Sequence, residues 1–375
     1  MKVTNKKNSP PSEVIIVAAI IGFISGVVGQ IVADVYIDPF AGNGAGIPTV
    51  AADGITIPEL KRVKRFLGIQ QDFEVQHAVG VTLPALAGLY PVRTNQVSAT
   101  SQVYRPSEQL GTAVILTSDG WLLTHQSVVS SIIPADLAVV IGNQIFEVSQ
   151  IIPDDMAGVA FVKISATNLP VVVLGDSDEL FSGQLAIVVN AFGEVAVVNV
   201  LDPESLASSL EDNVAVSTEQ FSRRILISAT DAVDPGSAVV NLAGELVGIV
   251  DGQKSDTAVS VNQFRSVILD VLRSGIVKRP YFGATYIDLA RVAGITNQPN
   301  RGALVVETPL RNSPAADADI KPGDIIVSIN EQAIDQRNGL TEIIQQYQPG
   351  DEITVTVQRG TAQFSSEVTL SIQPE

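Results

Sequence analysis

Between residues 78 and 260 the chain is a succession of short apolar runs. They read TAVILT, GWLLT, DLAVVIG, QIFEVSQII, VAFVKI, QLAIVV, VAVVNVL, RILISA and ELVGIV, and each is bounded by Gly, Asp, Asn or Pro. Strand-length segments at this spacing, punctuated by turn formers, predict an antiparallel barrel or sandwich. Val, Ile and Thr are abundant and aromatics make up only 5% of the chain, which favours strands over long helices. A length of 375 residues leaves room for about two or three domains.

The pattern changes on both sides of this region. NQFRSVILDVLRSG has a helical period and stops at Gly275. From about residue 278 a smaller α+β unit is predicted, with strands in GALVVETPL and DIIVSIN, a helix in GLTEIIQQY, and a final hairpin in EITVTVQRG and SSEVTLSI. Upstream, residues 14–33 (VIIVAAIIGFISGVVGQIVA) are almost wholly apolar and uncharged. A helix of that length spans about 30 Å of hydrocarbon. Lys2, Lys6 and Lys7 precede the run and Asp34 and Asp38 follow it, so the positive-inside bias places the N-terminus in the cytoplasm and the bulk outside. The run is longer than a signal-peptide core and no A-x-A site follows, which favours a retained anchor over a cleaved leader. A Gly/Ala/Pro-rich tether leads to TIPELKRVKRFLG, where Thr56 and Glu59 have capping-box spacing, Pro58 sits in the first turn and Gly68 is expected to end a short amphipathic helix. The expected organisation is a cytoplasmic tail (1–12), a transmembrane helix (13–36), a linker (37–71), a β-rich domain (72–275) and a terminal α+β domain (276–375).

Composition excludes several functions. A net charge of −17 argues against nucleic-acid binding, which needs a basic face. The absence of Cys excludes disulfides and thiolate chemistry, and with only two His there is no His-rich metal site. No cofactor is expected.

In this order, several stretches resemble the HtrA family of trypsin-like serine proteases with a C-terminal PDZ domain. GTAVILTSDGWLLT is similar to the family's first-barrel hairpin, and VAFVKISATNLPVVVLGDSDEL to its inter-barrel crossing. VVNAFGEVAVVNV resembles its Gly-Asn-Pro-Phe-Gly region, and ISATDAVDPG with NLAGELVGIV flank the place of the nucleophile loop. VKRPYFGATYIDL and NSPAADADIKPGDIIVSINEQAI resemble the PDZ carboxylate loop and core. The resemblance implies a mainly β fold: a trypsin-like double antiparallel β-barrel followed by an α+β PDZ domain, preceded by one transmembrane helix. It also implies a homotrimer or a hetero-oligomer with active relatives.

The catalytic positions depart from the family pattern. A serine protease needs a serine to attack, a histidine to take its proton and an aspartate to orient the histidine. The family's base lies in Thr-Asn-x-His-Val-Val; here Thr124 and Val128-Val129 match and the histidine position holds Ser127. His125 lies two residues early, which on a helical turn is about 200° of rotation and points it away from the cleft. The family's aspartate precedes Leu-Ala-Val-Leu-Lys-Ile; here that position holds Gly158, and Asp154 and Asp155 read as solvated turn residues. The nucleophile loop is short, so either Pro235 or Ser237 takes the serine position. If Ser237 does, Pro235 replaces an oxyanion-hole N–H with a residue that has none. The expected catalytic state is therefore a degenerate triad (Ser127, Gly158, Ser237 or Pro235), with a His125–Ser237 dyad as a weak alternative.

The terminal domain retains more of its pattern. The resemblance places the carboxylate loop at Tyr281, Phe282, Gly283 and Ala284, and the opposite wall of the groove at Gly339, Leu340 and Ile343. A peptide C-terminus would pair with the strand after that loop by β-augmentation. The expected function is a membrane-anchored pseudoprotease that binds peptide C-termini or unfolded segments in envelope protein quality control. The alternative is an active endopeptidase for misfolded envelope proteins.

Overall fold

The structure is a computed structural model that describes residues 66–93, 103–206, 214–230, 234–252, 256–294 and 301–372. The apolar run at 14–33 and the capping box at Thr56 lie outside the described residues. Among the described residues no helix is long and apolar enough to cross a membrane. The first described element is helix α1 (Phe66–Thr82), which continues through Gly68 rather than ending there. A single helical Gly costs only about 1 kcal/mol relative to Ala, too little to stop a helix without further terminators.

Six strands form a first closed barrel: β1 (Leu86–Pro91), β2 (Gly111–Ile115), β3 (Trp121–His125), β4 (Leu137–Ile141), β5 (Gln144–Asp154) and β6 (Val159–Ile164), in the order β1-β2-β3-β6-β5-β4. Closure comes from the antiparallel β1–β4 pairing. Its interior holds Leu89, Ile115, Leu122, Leu137 and Val162, all fully buried. The next strands are β7 (Val173–Leu174), β8 (Leu185–Val189), β9 (Val195–Leu206), β10 (Ala215–Ser217), β11 (Arg223–Ile227), β12 (Ala238–Val240), β13 (Glu245–Val250) and β14 (Thr257–Ser260), and all but β10 build a second ring. Here β12 pairs with both β8 and β13, which closes the ring, while β7 adds to β13 in parallel. β10 belongs to neither barrel and pairs instead in the terminal domain.

The seam between the barrels is one apolar cluster. It takes Leu123 and Phe161 from the first ring, Ile187, Val240 and Ile249 from the second, and Phe264, Val267 and Val271 from helix α2 (Val261–Ser274). Each such side chain, fully buried, contributes roughly 1.5–3 kcal/mol. α2 ends as its sequence predicts: Gly275 adopts a left-handed φ of 68° and its N–H returns to the Val271 carbonyl.

The terminal domain is built on β15 (Pro280–Tyr281), β16 (Thr285–Asp288), β17 (Ala303–Val305), β18 (Ile325–Ile329), β19 (Gln332–Ala333), β20 (Glu352–Arg359), β21 (Ala362–Thr369) and β22 (Ser371–Ile372), with short helices α3 (Pro314–Asp317) and α4 (Leu340–Ile344). Its main sheet runs β10-β16-β17-β18-β20-β21. Phe282, Tyr286, Val305, Ile326, Ile343 and Val355 form its core.

One buried ion pair ties these parts together. Asp154, at the end of β5, is 2% exposed and Arg279 is 3% exposed. Arg279 Nε lies 3.2 Å from Asp154 Oδ1 and Nη2 lies 2.5 Å from Oδ2. The same guanidinium donates to the Gln263 carbonyl in α2 and to Gln345 beside α4, and lies over the Phe221 ring. Asp154 is thus not the solvated turn residue its sequence context suggests, whereas Asp155 is exposed. A turn sequence does not reveal that an arginine 125 positions later will cover it. Removing one partner of such a pair leaves a buried charge uncompensated. Asp154→Asn is expected to lower unfolding stability by about 3–5 kcal/mol, read from the urea midpoint at neutral pH.

Candidate functional site

The cleft between the barrels is bounded by the end of β3, the β5–β6 turn, the loop before β12 and the segment after β13. His125 closes β3 and pairs across to Val159. Its backbone is extended (φ −71°, ψ 139°) and its side chain caps the single helical turn Gln126–Val128. Nδ1 accepts from the Ser127 N–H at 3.2 Å and from the Gly252 N–H at 3.1 Å. With Nδ1 accepting, the proton sits on Nε2, which faces Asp251 Oδ1 at 3.4 Å. Arg224 approaches the other oxygen of Asp251 at 3.5 Å. The exposed Ser127 hydroxyl lies 2.8 Å from Nδ1.

This corrects the expectation that His125 points away from the cleft. The rotation argument assumed a helical turn through His125, but the residue is still strand and only caps the turn that follows. It faces Gly158: a Cβ added there would lie 3.7 Å from His125 Nε2 and from Arg224. Gly158 has φ +76° and carries no carboxylate, so Asp251, directly after β13, is the acid that meets the imidazole. Gly252 is required where it is, since a Cβ would fall 1.8 Å from Ser127 Oγ. Burial pulls the His125 pKa below the usual imidazole value; the Asp251 carboxylate opposes this and the Arg224 guanidinium adds to it.

The loop before β12 is pressed into the first barrel. The Thr112 N–H donates to the Pro235 carbonyl at 2.9 Å. A Cβ on Gly236, whose φ is +80°, would meet the Thr112 carbonyl at 2.2 Å. Every backbone donor of the three-residue turn is accounted for. Pro235 has none, Gly236 N–H donates to the Val250 carbonyl, and Ser237 N–H donates to the Asp234 carbonyl. Ser237 is fully buried and its hydroxyl donates to that same Asp234 carbonyl at 2.7 Å. No hydrogen bond joins Ser237 to His125 among the described residues.

The terminal domain gathers the residues named from its sequence around one apolar cluster and one loop. Phe282, Leu340 and Ile343 are fully buried and Ala284 nearly so, in the apolar cluster of the domain that Val216 of β10 also joins. Tyr281 is 8% exposed and pairs with Ser371 in β22. Gly339 caps α4 and faces Arg223, whose Nη2 would lie 2.7 Å from an added Cβ. That arginine spans the domains: it also meets Glu204, Asp288 and Glu342. Gly283 has φ +84°, and its N–H is turned to a carboxylate, that of Glu219. Asp251, Gly252, Arg224 and Glu219 were not legible as site residues. Asp251 directly follows an apolar strand, which was the one available hint.

Two closed barrels with a cleft between them, joined to an α+β domain, define a trypsin-like peptidase fold followed by a PDZ domain. Residues 111–249 match the trypsin-like peptidase domain family and residues 292–370 match the PDZ domain family. The chain is 28% identical over 283 residues to the putative serine protease HhoB of Synechocystis sp., covering 68% of this chain and 65% of that protein, so it spans just under two thirds of that relative. It is 26% identical over 297 residues to the serine endoprotease DegS of Haemophilus influenzae, covering 76% and 83%. It is similar in structure to the HtrA-type protease AlgW with tripeptide, with a TM-score of 0.58 at 25% identity over 80% of this chain and 98% of that one. The chain thus carries a trypsin-like peptidase domain followed by a PDZ domain, and it is similar in sequence and structure to HtrA-type serine proteases.

A buried imidazole with a lowered pKa binds fewer protons folded than unfolded. Its contribution is fully present above the unfolded value of about 6.5 and is lost as pH falls through and below it. The urea midpoint of the wild type should therefore drop between pH 7.5 and 5.5 by more than that of His125→Asn, whose amide oxygen can take the place of Nδ1.

Proposed function

We propose that this chain is a peptide-binding HtrA-family protein of the cell envelope in which the barrel pair does not perform the family's triad chemistry. The observation that carries this reading is the nucleophile turn: Ser237 is fully buried, its hydroxyl is donated to Asp234, and no N–H of Pro235–Ser237 is left for an oxyanion. Acyl transfer requires a serine beside a base and donors aimed at the developing charge. Gly158 adds no carboxylate at the third position. Binding would then reside in the PDZ domain. The family match and the tripeptide named for the AlgW structure support this. The apolar run at 14–33 would anchor the chain in the cytoplasmic membrane with the folded part outside, as an adaptor in envelope protein quality control. Assembly as a homotrimer, or with active relatives, belongs to the same proposal.

A second reading rests on one observation. Ser127, His125 and Asp251 form a serine–imidazole–carboxylate chain with spacings of 2.8 and 3.4 Å, and the serine is exposed. Ser127 Oγ would attack an acyl carbon while its proton passes to His125 Nδ1 and then to the leaving group. Against it, the Nδ1 lone pair already accepts two backbone N–H groups and burial weakens the base. A fluorophosphonate probe on the full chain separates the readings. The first predicts no specific labelling. Labelling abolished by Ser237→Ala restores the family's triad, and labelling abolished by Ser127→Ala but kept in Ser237→Ala selects the second reading.

A further inference from the structure

β10 is a strand of the protease region that lies on the wrong sheet. It leaves the barrels and adds antiparallel to β16, with Ala215 opposite Ile287, Val216 opposite Tyr286 and Ser217 opposite Thr285. β16 is the strand directly after Gly283-Ala284, the edge along which a PDZ domain takes a peptide by β-augmentation. The residues that follow β10 then enter the carboxylate loop. Thr218 N–H donates to the Ala284 carbonyl at 2.9 Å, and Ala284 N–H donates back to Thr218 Oγ1 at 3.0 Å. Gly283 N–H donates to Glu219 Oε1 at 2.8 Å.

The Glu219 carboxylate thus stands where a peptide's terminal carboxylate would be held, and it is prepared for that role. The Thr218 hydroxyl donates to Oε1 at 2.6 Å and the Ser217 hydroxyl to Oε2 at 2.5 Å. Val216 is 7% exposed and joins the same apolar cluster as Phe282, Tyr286 and Leu340. Strand pairing, an apolar side chain in the domain core and a carboxylate on a loop N–H are the three elements of peptide capture. All three are supplied in cis by residues 215–219.

We propose that residues 215–219 are a resident ligand of the PDZ domain, and that a peptide C-terminus enters only by displacing them. The proposal rests on the peptide-binding reading above for its second half. It also defines the incoming chemistry: a free carboxylate, a residue whose N–H reaches Ala284, and a Val-sized side chain two positions earlier. A peptide ending Ala-Val-Ser-Thr with a free carboxylate reproduces these contacts, its terminus replacing Glu219.

The affinity of a site open only a fraction of the time falls by that fraction. The test uses a fluorescein-labelled peptide ending Ala-Val-Ser-Thr, free or C-terminally amidated, with the full chain in detergent. Wild type is compared with the double variant Thr218→Ala, Glu219→Ala by fluorescence anisotropy. If the resident fills the groove nine times in ten, the double variant binds the free peptide about tenfold more tightly, and neither protein binds the amide as well. Equal affinity for the free peptide in both proteins overturns the proposal. Hydrogen exchange over residues 281–288 tests residency without any added ligand. Protection in the wild type that is lost in the double variant supports the resident strand even if no peptide binds, in which case the peptide-binding reading alone fails. Equal exchange in both proteins overturns residency.

Discussion

The placement of the PDZ domain depends on a charge that has nowhere else to go. Arg279 is buried at the junction of the first barrel, helix α2 and the PDZ domain, and an unpaired guanidinium there would be prohibitively costly. Asp154 neutralises it, while Gln263 and Gln345 take further N–H groups. The pair satisfies a demand that burial itself creates, so it acts more as a fixture of geometry than as a source of net stability. Fixing Arg279 fixes the start of β15 one residue later, and with it the loop Tyr281–Ala284. Arg223, meeting Glu204, Asp288 and Glu342, holds the other side of the same junction. Between these two clamps, β10 can lie along β16.

The cleft shows how a fold can keep its frame while its polar groups are reassigned. The histidine at the end of β3 is still buried beside the position opposite Gly158, but its lone pair serves backbone N–H groups and its proton faces Asp251. The turn before β12 is still tight and still glycine-dependent at Gly236, but its N–H groups are consumed within the fold. Both changes are made by hydrogen bonds that close within the fold, several of them between segments far apart in the chain, while the strands keep their pairing.

The elements themselves were plainly written in the chain. The apolar runs became strands near their predicted places, and NQFRSVILDVLRSG became α2 with Gly275 as its left-handed cap, because period and turn chemistry act over a few residues. Expectations that needed a partner from far along the chain went astray. Asp154 read as a solvated turn residue because its cation is 125 positions away. Likewise, no pattern in the short helix α4 announces that Val216, from the barrel region, joins the apolar cluster of Leu340 and Ile343.

Residue identities alone set what chemistry is available: no thiolate, a single histidine within the barrels, a glycine where the family has an acid, and a proline that cannot donate to an oxyanion. Those facts hold in any conformation. The packed chain determined which groups meet. It turned His125 toward Asp251, shut Ser237 away from the cleft, and brought Glu219 to the Gly283 amide. Such contacts depend on strand register and on the orientation of one domain against another, and both are properties of long-range packing that no local pattern encodes.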